Sequence, residues 1–254
     1  MKYELSIVIP TYNEKDNIEK LVQEIERALS GIAYEIVFVD DSKDDTPIVI
    51  QSMQDKYPYI SLYHRENEKG LATAVLLGFS KAQGKYLAVM DADLQHPPMI
   101  LRSMYAVVKT QNADFCIPSR FIFDGSDGGL NLYRKIVSGT ARYMGKIMLS
   151  SLRKISDPTS GLFMFKKSVI EDADLRPVGW KIMVEVLAMA DYHTVYEIPY
   201  RFSPRNAGES KLSTKVTLEY IRQLFGLIRR ETKKQIKVIR FPQEEVDTLL
   251  NHYE

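Results

Sequence analysis

Cysteine is almost absent: the chain of 254 residues has one, Cys116, so no disulfide can form within it. That fits a reduced compartment, and the apolar setting Phe115-Cys116-Ile117 marks the thiol as a small buried hydrophobe. Long apolar runs are absent too. No stretch reaches the roughly 18 consecutive apolar residues of a membrane-spanning helix. The start, Met1-Lys2-Tyr3-Glu4-Leu5, lacks the sections of a secretion signal. Net charge is small, with 34 Lys and Arg against 33 Asp and Glu, or +1, which gives no reason to expect a nucleic-acid partner. Internal repeats and low-complexity tracts are missing. The lone tryptophan, Trp180, reads as a packing anchor.

What is present is an ordinary globular composition, 45% apolar and 26% charged, with enough apolar sequence for a sizeable core. In the first half, short apolar runs alternate with amphipathic ones. Residues 5–9, 35–39, 60–63, 86–90 and 115–117 read as strands. Ile18, Leu21, Val22, Ile25 and Leu29 recur at helical spacing, and 48–53 and 71–82 also read as helices. Gly84 suits a helix C-cap. Such alternation predicts an α/β fold, a mostly parallel sheet flanked by helices. Ligands of such sheets bind at the carboxyl ends of the strands. The polar clusters at 11–14, 40–45 and 91–95 fall there.

The second half is less regular. Residues 124–131 predict a mobile Gly- and Asp-rich loop, 132–154 a helical stretch, and 162–165 and 195–202 strands. Residues 214–240 form a basic amphipathic segment, with Leu218, Ile221, Leu224, Phe225 and Ile228 assigned to one helical face. An acidic tail follows from Gln243.

The chemistry concentrates in Met90-Asp91-Ala92-Asp93-Leu94-Gln95. In extended structure, acids at i and i+2 point to one side. Magnesium takes hard oxygen ligands, one or two carboxylates plus substrate phosphates, so this pair could clamp a metal against a diphosphate, with Gln95 offering a neutral oxygen. A lone Asp-x-Asp more often solvates a loop. Here the pair follows an apolar strand and joins two other polar strand ends, which favours a site. His96 reads as a helix-start residue before Pro97-Pro98 rather than a ligand. Glu185, on a predicted helix, could line an acceptor or be capping and solvated.

The runs Pro10-Thr11-Tyr12-Asn13-Glu14, Val39-Asp40-Asp41-Ser42 and Asp91-Ala92-Asp93-Leu94-Gln95-His96-Pro97-Pro98 resemble family 2 glycosyltransferases of the GT-A fold. The likeness is greatest to the polyprenyl-phosphate branch, which includes the dolichol-phosphate mannose synthases. It continues through Pro118-Ser119-Arg120-Phe121, Asp157-Pro158-Thr159-Ser160-Gly161 and Arg205-Asn206-Ala207-Gly208-Glu209-Ser210-Lys211-Leu212. The resemblance implies that the mostly parallel sheet is a mixed one. It also implies that Pro10, Tyr12, Glu14, Val39 and Asp41 hold a nucleoside, and that Asp91, Ala92 and Asp93 line its diphosphate and sugar. Asp93 and Gln95 would hold Mg2+ or Mn2+. Arg120, Arg205 and Lys211 would meet phosphates, and Arg134 and Ser138 an acceptor lipid phosphate beside Arg120 and Arg205. Asp91, Asp93 and Arg120 are implied in the transfer itself.

The expected reaction is inverting transfer of a sugar, mannose from GDP-mannose, to a polyprenyl or dolichyl phosphate. The acidic loop Asp40-Asp41-Ser42-Lys43-Asp44 is a residue shorter than the family's Asp-Asp-x-Ser-x-Asp. The nucleotide therefore stays open, and a UDP-sugar (glucose or N-acetylglucosamine) passed to a lipid phosphate or glycan is the alternative. Processive polysaccharide synthesis is disfavoured, since Gln-x-x-Arg-Trp is missing, and an Asp-x-Asp phosphohydrolase would carry Thr or Val where Gln95 stands. The chain divides by this reading into a GT-A-like catalytic domain, 1–213, and a membrane-surface segment, 214–254. The expected place is the cytoplasmic face of a membrane, peripherally bound, with a membrane-anchoring protein as a candidate partner.

Overall fold

The computed structural model describes residues 2–129, 132–203 and 214–253. Strand β1 (Leu5–Thr11) and helix α1 (Lys15–Ala28) open the chain, followed by β2 (Tyr34–Asp40), α2 (Thr46–Lys56), β3 (Ile60–His64), α3 (Leu71–Lys81), β4 (Tyr86–Val89) and α4 (Ile100–Thr110). The second half supplies β5 (Phe115–Ser119), α5 (Leu132–Met148), β6 (Phe163–Lys166), α6 (Ile182–Met189), β7 (Thr194–Pro199), α7 (Thr214–Arg230), β8 (Lys237–Arg240) and α8 (Gln243–Tyr253).

The eight described strands make one sheet in the order β3-β2-β1-β4-β6-β5-β7-β8. Every pair is parallel except those of β6, which runs antiparallel between β4 and β5. Strands β1, β2, β4 and β5 are buried along their whole length, as continuous apolar strands covered on both faces must be. One face packs Ile18, Leu21 and Ile25 of α1, Leu101 and Met104 of α4, and Val246 of α8. The other packs Val75 and Phe79 of α3, Val184 and Leu187 of α6, and Tyr220, Leu224 and Leu227 of α7.

Chain order reverses at β1, with β2 on one side and β4 on the other. A reversal of this kind opens a crevice at the carboxyl ends of the strands. The polar runs after β1, β2 and β4 all lie at that end of the sheet.

Three sequence expectations change. Gly84 is not a helix C-cap, because α3 ends at Lys81; a Cβ on Gly84 would stand 2.6 Å from the backbone nitrogen of Ser6. Glycine is needed there for the close approach of two backbones. Residues 214–240 are not one helix, since α7 stops at Arg230 and β8 joins β7 in parallel. The β-branched pair Val238-Ile239 drives this, disguised in the sequence by the basic residues around it. Nor does α7 have a single apolar face. Leu224 and Leu227 are buried, whereas Leu218 and Phe225 are 67% and 62% exposed. Among the described residues no helix is long and apolar enough to cross a membrane.

Gly78 is where α3 meets the sheet most tightly: a Cβ there would lie 2.2 Å from Cγ1 of Val8. Gly78→Ala should therefore destabilise the fold by about 1–3 kcal/mol through overpacking. Urea unfolding followed by circular dichroism measures this, and an unchanged midpoint would contradict the packing described.

Candidate active site

The loops after β1 and β2 are stitched together. Asp40 is fully buried and accepts hydrogen bonds from Thr11 Oγ1 at 2.7 Å and Ser42 Oγ at 2.5 Å. His64 Nδ1 lies 2.7 Å from its other oxygen. Asn13 adopts the left-handed conformation (φ 55°), which asparagine tolerates. Its backbone N–H donates to Ser42 Oγ at 2.7 Å, and its side-chain oxygen accepts from the Lys43 N–H at 3.0 Å. Pro10 and Val39 are direct partners in the β1–β2 ladder. Tyr12 is 40% exposed at the mouth, and Glu14 accepts from Asn17 Nδ2 at 2.8 Å.

Asp41 has a partner that no motif announced. Arg65, just beyond β3, donates from Nε and Nη2 to its two oxygens, each at 2.7 Å. The Gly70 N–H adds a third bond at 2.9 Å. Both side chains of the pair are buried. Such a fork is rigid in both distance and plane, so Asp41 is held in one orientation.

Past β4, Met90 donates to Val8 O at 3.1 Å, and the chain then leaves the sheet. Residues 91–95 form a turn rather than the extended run assumed from their i, i+2 spacing. The turn is fixed by Leu94, a buried non-glycine residue at φ 59°. The Gln95 N–H donates to Asp93 Oδ1 at 3.1 Å. Gln95 O accepts from the Ser203 N–H at 2.9 Å. Asp93, Ala92 and Gln95 are buried, while Asp91 is only partly so. Gly161 accounts for the seating of Asp91, because a Cβ there would come within 2.1 Å of Asp91 Oδ2.

His96 is packing rather than the helix-start residue its sequence context suggested, since α4 begins only at Ile100. Its ring stacks on Tyr200 at 5.5 Å and meets the edge of Phe202 at 5.3 Å. Burial, then the nearby Arg120 and Lys181, pushes its pKa down to about 3, so it stays neutral at physiological pH.

Arg120, directly after β5, donates from Nε and Nη2 to Asp157 Oδ2 at 3.2 and 3.0 Å. Its guanidinium also lies 4.8 Å from the centre of the Phe202 ring. Asp157 is fully buried and is braced by Thr159 Oγ1 at 3.2 Å. Lys181 joins this group, donating to Thr159 O at 3.1 Å. Burial lowers its pKa, Asp157 and Asp91 oppose that, and Arg120 adds to it. Asp91, Arg120, Asp157 and Lys181 thus form one charged cluster, of which the sequence indicated the first two as actors. A lysine at the start of a short helix gives no signal in sequence.

Trp180 is not the expected packing anchor, being 42% exposed. Glu185 is buried and accepts from the Arg176 N–H at 2.9 Å and Arg230 Nη1 at 3.3 Å. It therefore ties α6 to α7. Ser138 lies partly buried on α5. Arg205 and Lys211 lie outside the described residues, as does the side chain of Arg134.

Among the described residues no group of three or more His, Cys, Asp and Glu side chains could hold a metal on its own. A hard cation needs fewer when substrate phosphates complete its shell. The turn bearing Asp93 and Gln95, with the space that Gly161 leaves for Asp91, fits that demand in its oxygen donors.

The sequence model of the family described as "Glycosyl transferase family 2" matches residues 6–173. A dolichol-phosphate mannosyltransferase of Pyrococcus furiosus is 42% identical over 228 residues, 89% of this chain and 64% of that protein. Thus the chain spans a little under two thirds of that relative's length. One from Saccharomyces cerevisiae is 35% identical over 237 residues, covering 88% of this chain and 86% of that one. Among solved structures, glucosyl-3-phosphoglycerate synthase from Mycobacterium tuberculosis, in complex with Mn2+, uridine diphosphate and phosphoglyceric acid, superposes with a TM-score of 0.67 at 15% identity, covering 91% of this chain and 80% of that one. Mannosyl-3-phosphoglycerate synthase from Rubrobacter xylanophilus gives 0.65 at 17% identity, with 89% and 74% covered. These likenesses show the fold, which is GT-A.

Arg65→Ala should cost about 3–5 kcal/mol, because it strands the carboxylate of Asp41 in a buried position. Paired urea melts of the variant and the parent chain test this. A loss below about 1 kcal/mol, typical of an exposed pair, would show that the pair is not shielded as described.

Proposed function

The chain belongs to glycosyl transferase family 2, and on that premise we propose that it transfers mannose from GDP-mannose to a polyprenyl or dolichyl phosphate with inversion. The observation that carries the proposal is the charged cluster at the strand reversal. The acidic turn of residues 91–95 stands beside Arg120 and Lys181, so donor diphosphate and acceptor phosphate can meet across a few side chains. The curated relatives, named for dolichol-phosphate mannosyl transfer, support the choice of sugar and acceptor.

On the donor side, Pro10, Tyr12, Glu14 and Val39 border the nucleoside. Asp41 already uses three of its roughly four acceptor positions on Arg65 and Gly70, leaving one to accept an N–H from the base. Asp91 and Ala92 line the sugar and diphosphate. Asp93 and Gln95 would hold a Mg2+ or Mn2+ ion, which when bound neutralises charge on the departing diphosphate. The neighbour from Mycobacterium tuberculosis was solved with Mn2+.

On the acceptor side, the second pKa of a phosphate monoester is about 6, so at neutral pH the nucleophile is largely the dianion. It needs placement and shielding more than a base. Arg120, with Arg134, Ser138 and Arg205, would supply both, and Lys211 with Arg205 would meet the donor phosphates. The acceptor oxygen bonds to the anomeric carbon as the bond to the diphosphate oxygen breaks, and nucleoside diphosphate departs. A UDP-sugar donor is the second reading, favoured by the uridine diphosphate in the same neighbour.

Residues 1–213 carry every residue of the proposed site, while α7, β8 and α8 pack into the same body. Helix α7 turns Leu218, Phe225 and Ile228 outward among Arg222 and Arg229. That face suits peripheral attachment to the cytoplasmic face of a membrane, alone or through an anchoring protein.

Asp93→Ala should reduce turnover by about 10²-fold or more and remove the effect of manganese on nucleotide binding, with the circular dichroism spectrum retained. Unchanged nucleotide affinity in manganese would refute the metal assignment. Thermal stabilisation across GDP- and UDP-sugars separates the two donors: GDP-mannose should shift the melting temperature most, and stabilisation by UDP-sugars alone would overturn the mannose reading.

A further inference from the structure

A cavity of about 440 Å³ opens beside α5, bounded by Phe121, Phe123, Tyr143, Arg142, Lys146 and Arg240. Among the described residues, none of the acidic turn lines it, and no aspartate or glutamate does. Arg142 lies flat against aromatic rings, 3.9 Å from the centre of Phe121 and 4.7 Å from that of Tyr143. Its Nη1 donates to Ser156 O at 3.4 Å, while its Nε is buried without a hydrogen-bond partner. Arg240 is anchored by Glu197 Oε2 at 2.9 Å and Lys154 O at 2.8 Å, yet its side chain remains 52% exposed. Burial lowers the pKa of Lys146, Arg142 and Arg240 lower it further, and only Glu197 opposes them. Among the described residues, three cations and no carboxylate line the cavity, so it carries an excess of positive charge.

A second space of about 590 Å³ continues along α5, lined by Gly139, Tyr143, Met144 and Ile147 and almost wholly apolar. Tyr143 belongs to both. Around them Phe123, Tyr143 and Ile147 are 83%, 60% and 74% exposed. A cationic pit leading into an apolar groove, rimmed by exposed aromatic and aliphatic side chains, matches a phosphate attached to a hydrocarbon chain.

We propose that Arg142, Lys146 and Arg240 bind the phosphate of an anionic phospholipid, whose acyl chain runs along Met144 and Ile147. The site is distinct from that of the sugar acceptor. Ser138 and Lys146 stand eight residues apart on α5, about 12 Å, and neither Ser138 nor Arg120 lines this cavity. The lipid here orients the protein on the membrane and is not consumed.

The test is sedimentation of the full chain with phosphatidylcholine vesicles, with and without phosphatidic acid. Lys146→Gln should weaken binding to the acidic vesicles about fivefold. Lys56→Gln, an equal loss of charge on the exposed side of α2, should leave it at the parent value. Equal losses in both variants would mean that overall charge governs binding and would overturn the proposal. Dihexanoyl phosphatidic acid should compete at lower concentration than inorganic phosphate; equal competition would overturn the lipid assignment. Sugar transfer to a water-soluble short-chain polyprenyl phosphate should be unchanged in Lys146→Gln. A parallel fall would give the cavity to the acceptor instead. Vesicle binding is readable even where no transfer occurs, so failure of this proposal and failure of the transferase reading are told apart.

Discussion

Arg120 and Asp157 are both shut away from solvent, their side chains 9% and 0% exposed, so removing either leaves an uncompensated charge in the interior. Such pairs add little net stability, but breaking one is costly. Their effect is to fix position. Asp157 precedes β6 and Arg120 follows β5, so the bond clamps two loops that leave the sheet at different strands. Asp41 with Arg65 does the same between the ends of β2 and β3, and Asp40 between β1 and β2. The crevice owes its shape to buried carboxylates that must each keep their partners.

These clamps also sort the charge. Asp91 and Asp93 are supplied by the turn after β4, on one flank of the reversal in strand order. Arg120 and Lys181 come from the far side of β6. The two halves meet where Gly161 lets the segment that carries Asp157 close onto Asp91. An acid flank suits a metal-bound diphosphate, and a basic flank suits a bare phosphate. Two anionic substrates brought together would repel one another in water; in the proposed reaction each would face groups of opposite or metal-compensated charge.

Much of the first half was legible because parallel strands buried on both faces are continuous apolar runs, bounded by the polar turns that form the crevice. The residues 11–14, 40–45 and 91–95 were placed at the strand ends correctly for that reason. Periodicity could not show the conformation of residues 91–95, because Leu94 adopts a left-handed backbone angle that nothing in its chemistry requires. Nor could it show Arg65 and Lys181, whose roles exist only through partners 24 residues away at Asp41 and 22 at Thr159. The C-terminal region misled for another reason. Strand β8 is four residues long, with Lys237 and Arg240 at its ends, and in sequence those cations merge with the basic helix before it.

That short strand matters to the site. Arg240 on β8 holds Glu197, a fully buried carboxylate on β7. Glu197 in turn accepts from both the N–H and the Oγ of Ser156, at 2.5 and 2.6 Å. Ser156 also shares a 2.5 Å hydrogen bond with Ser119, and its neighbours in sequence and space are Asp157 and Arg120. A carboxylate without solvent is costly unless its donors stay put, so the link from β8 to the basic flank is as stiff as the hydrogen bonds and ion pair that compose it. The cavity beside α5, which Ser156 and Arg240 line, is joined to the crevice through this same framework. A surface that met a membrane there would bear on the groups proposed to hold the phosphates, with no long-range motion needed.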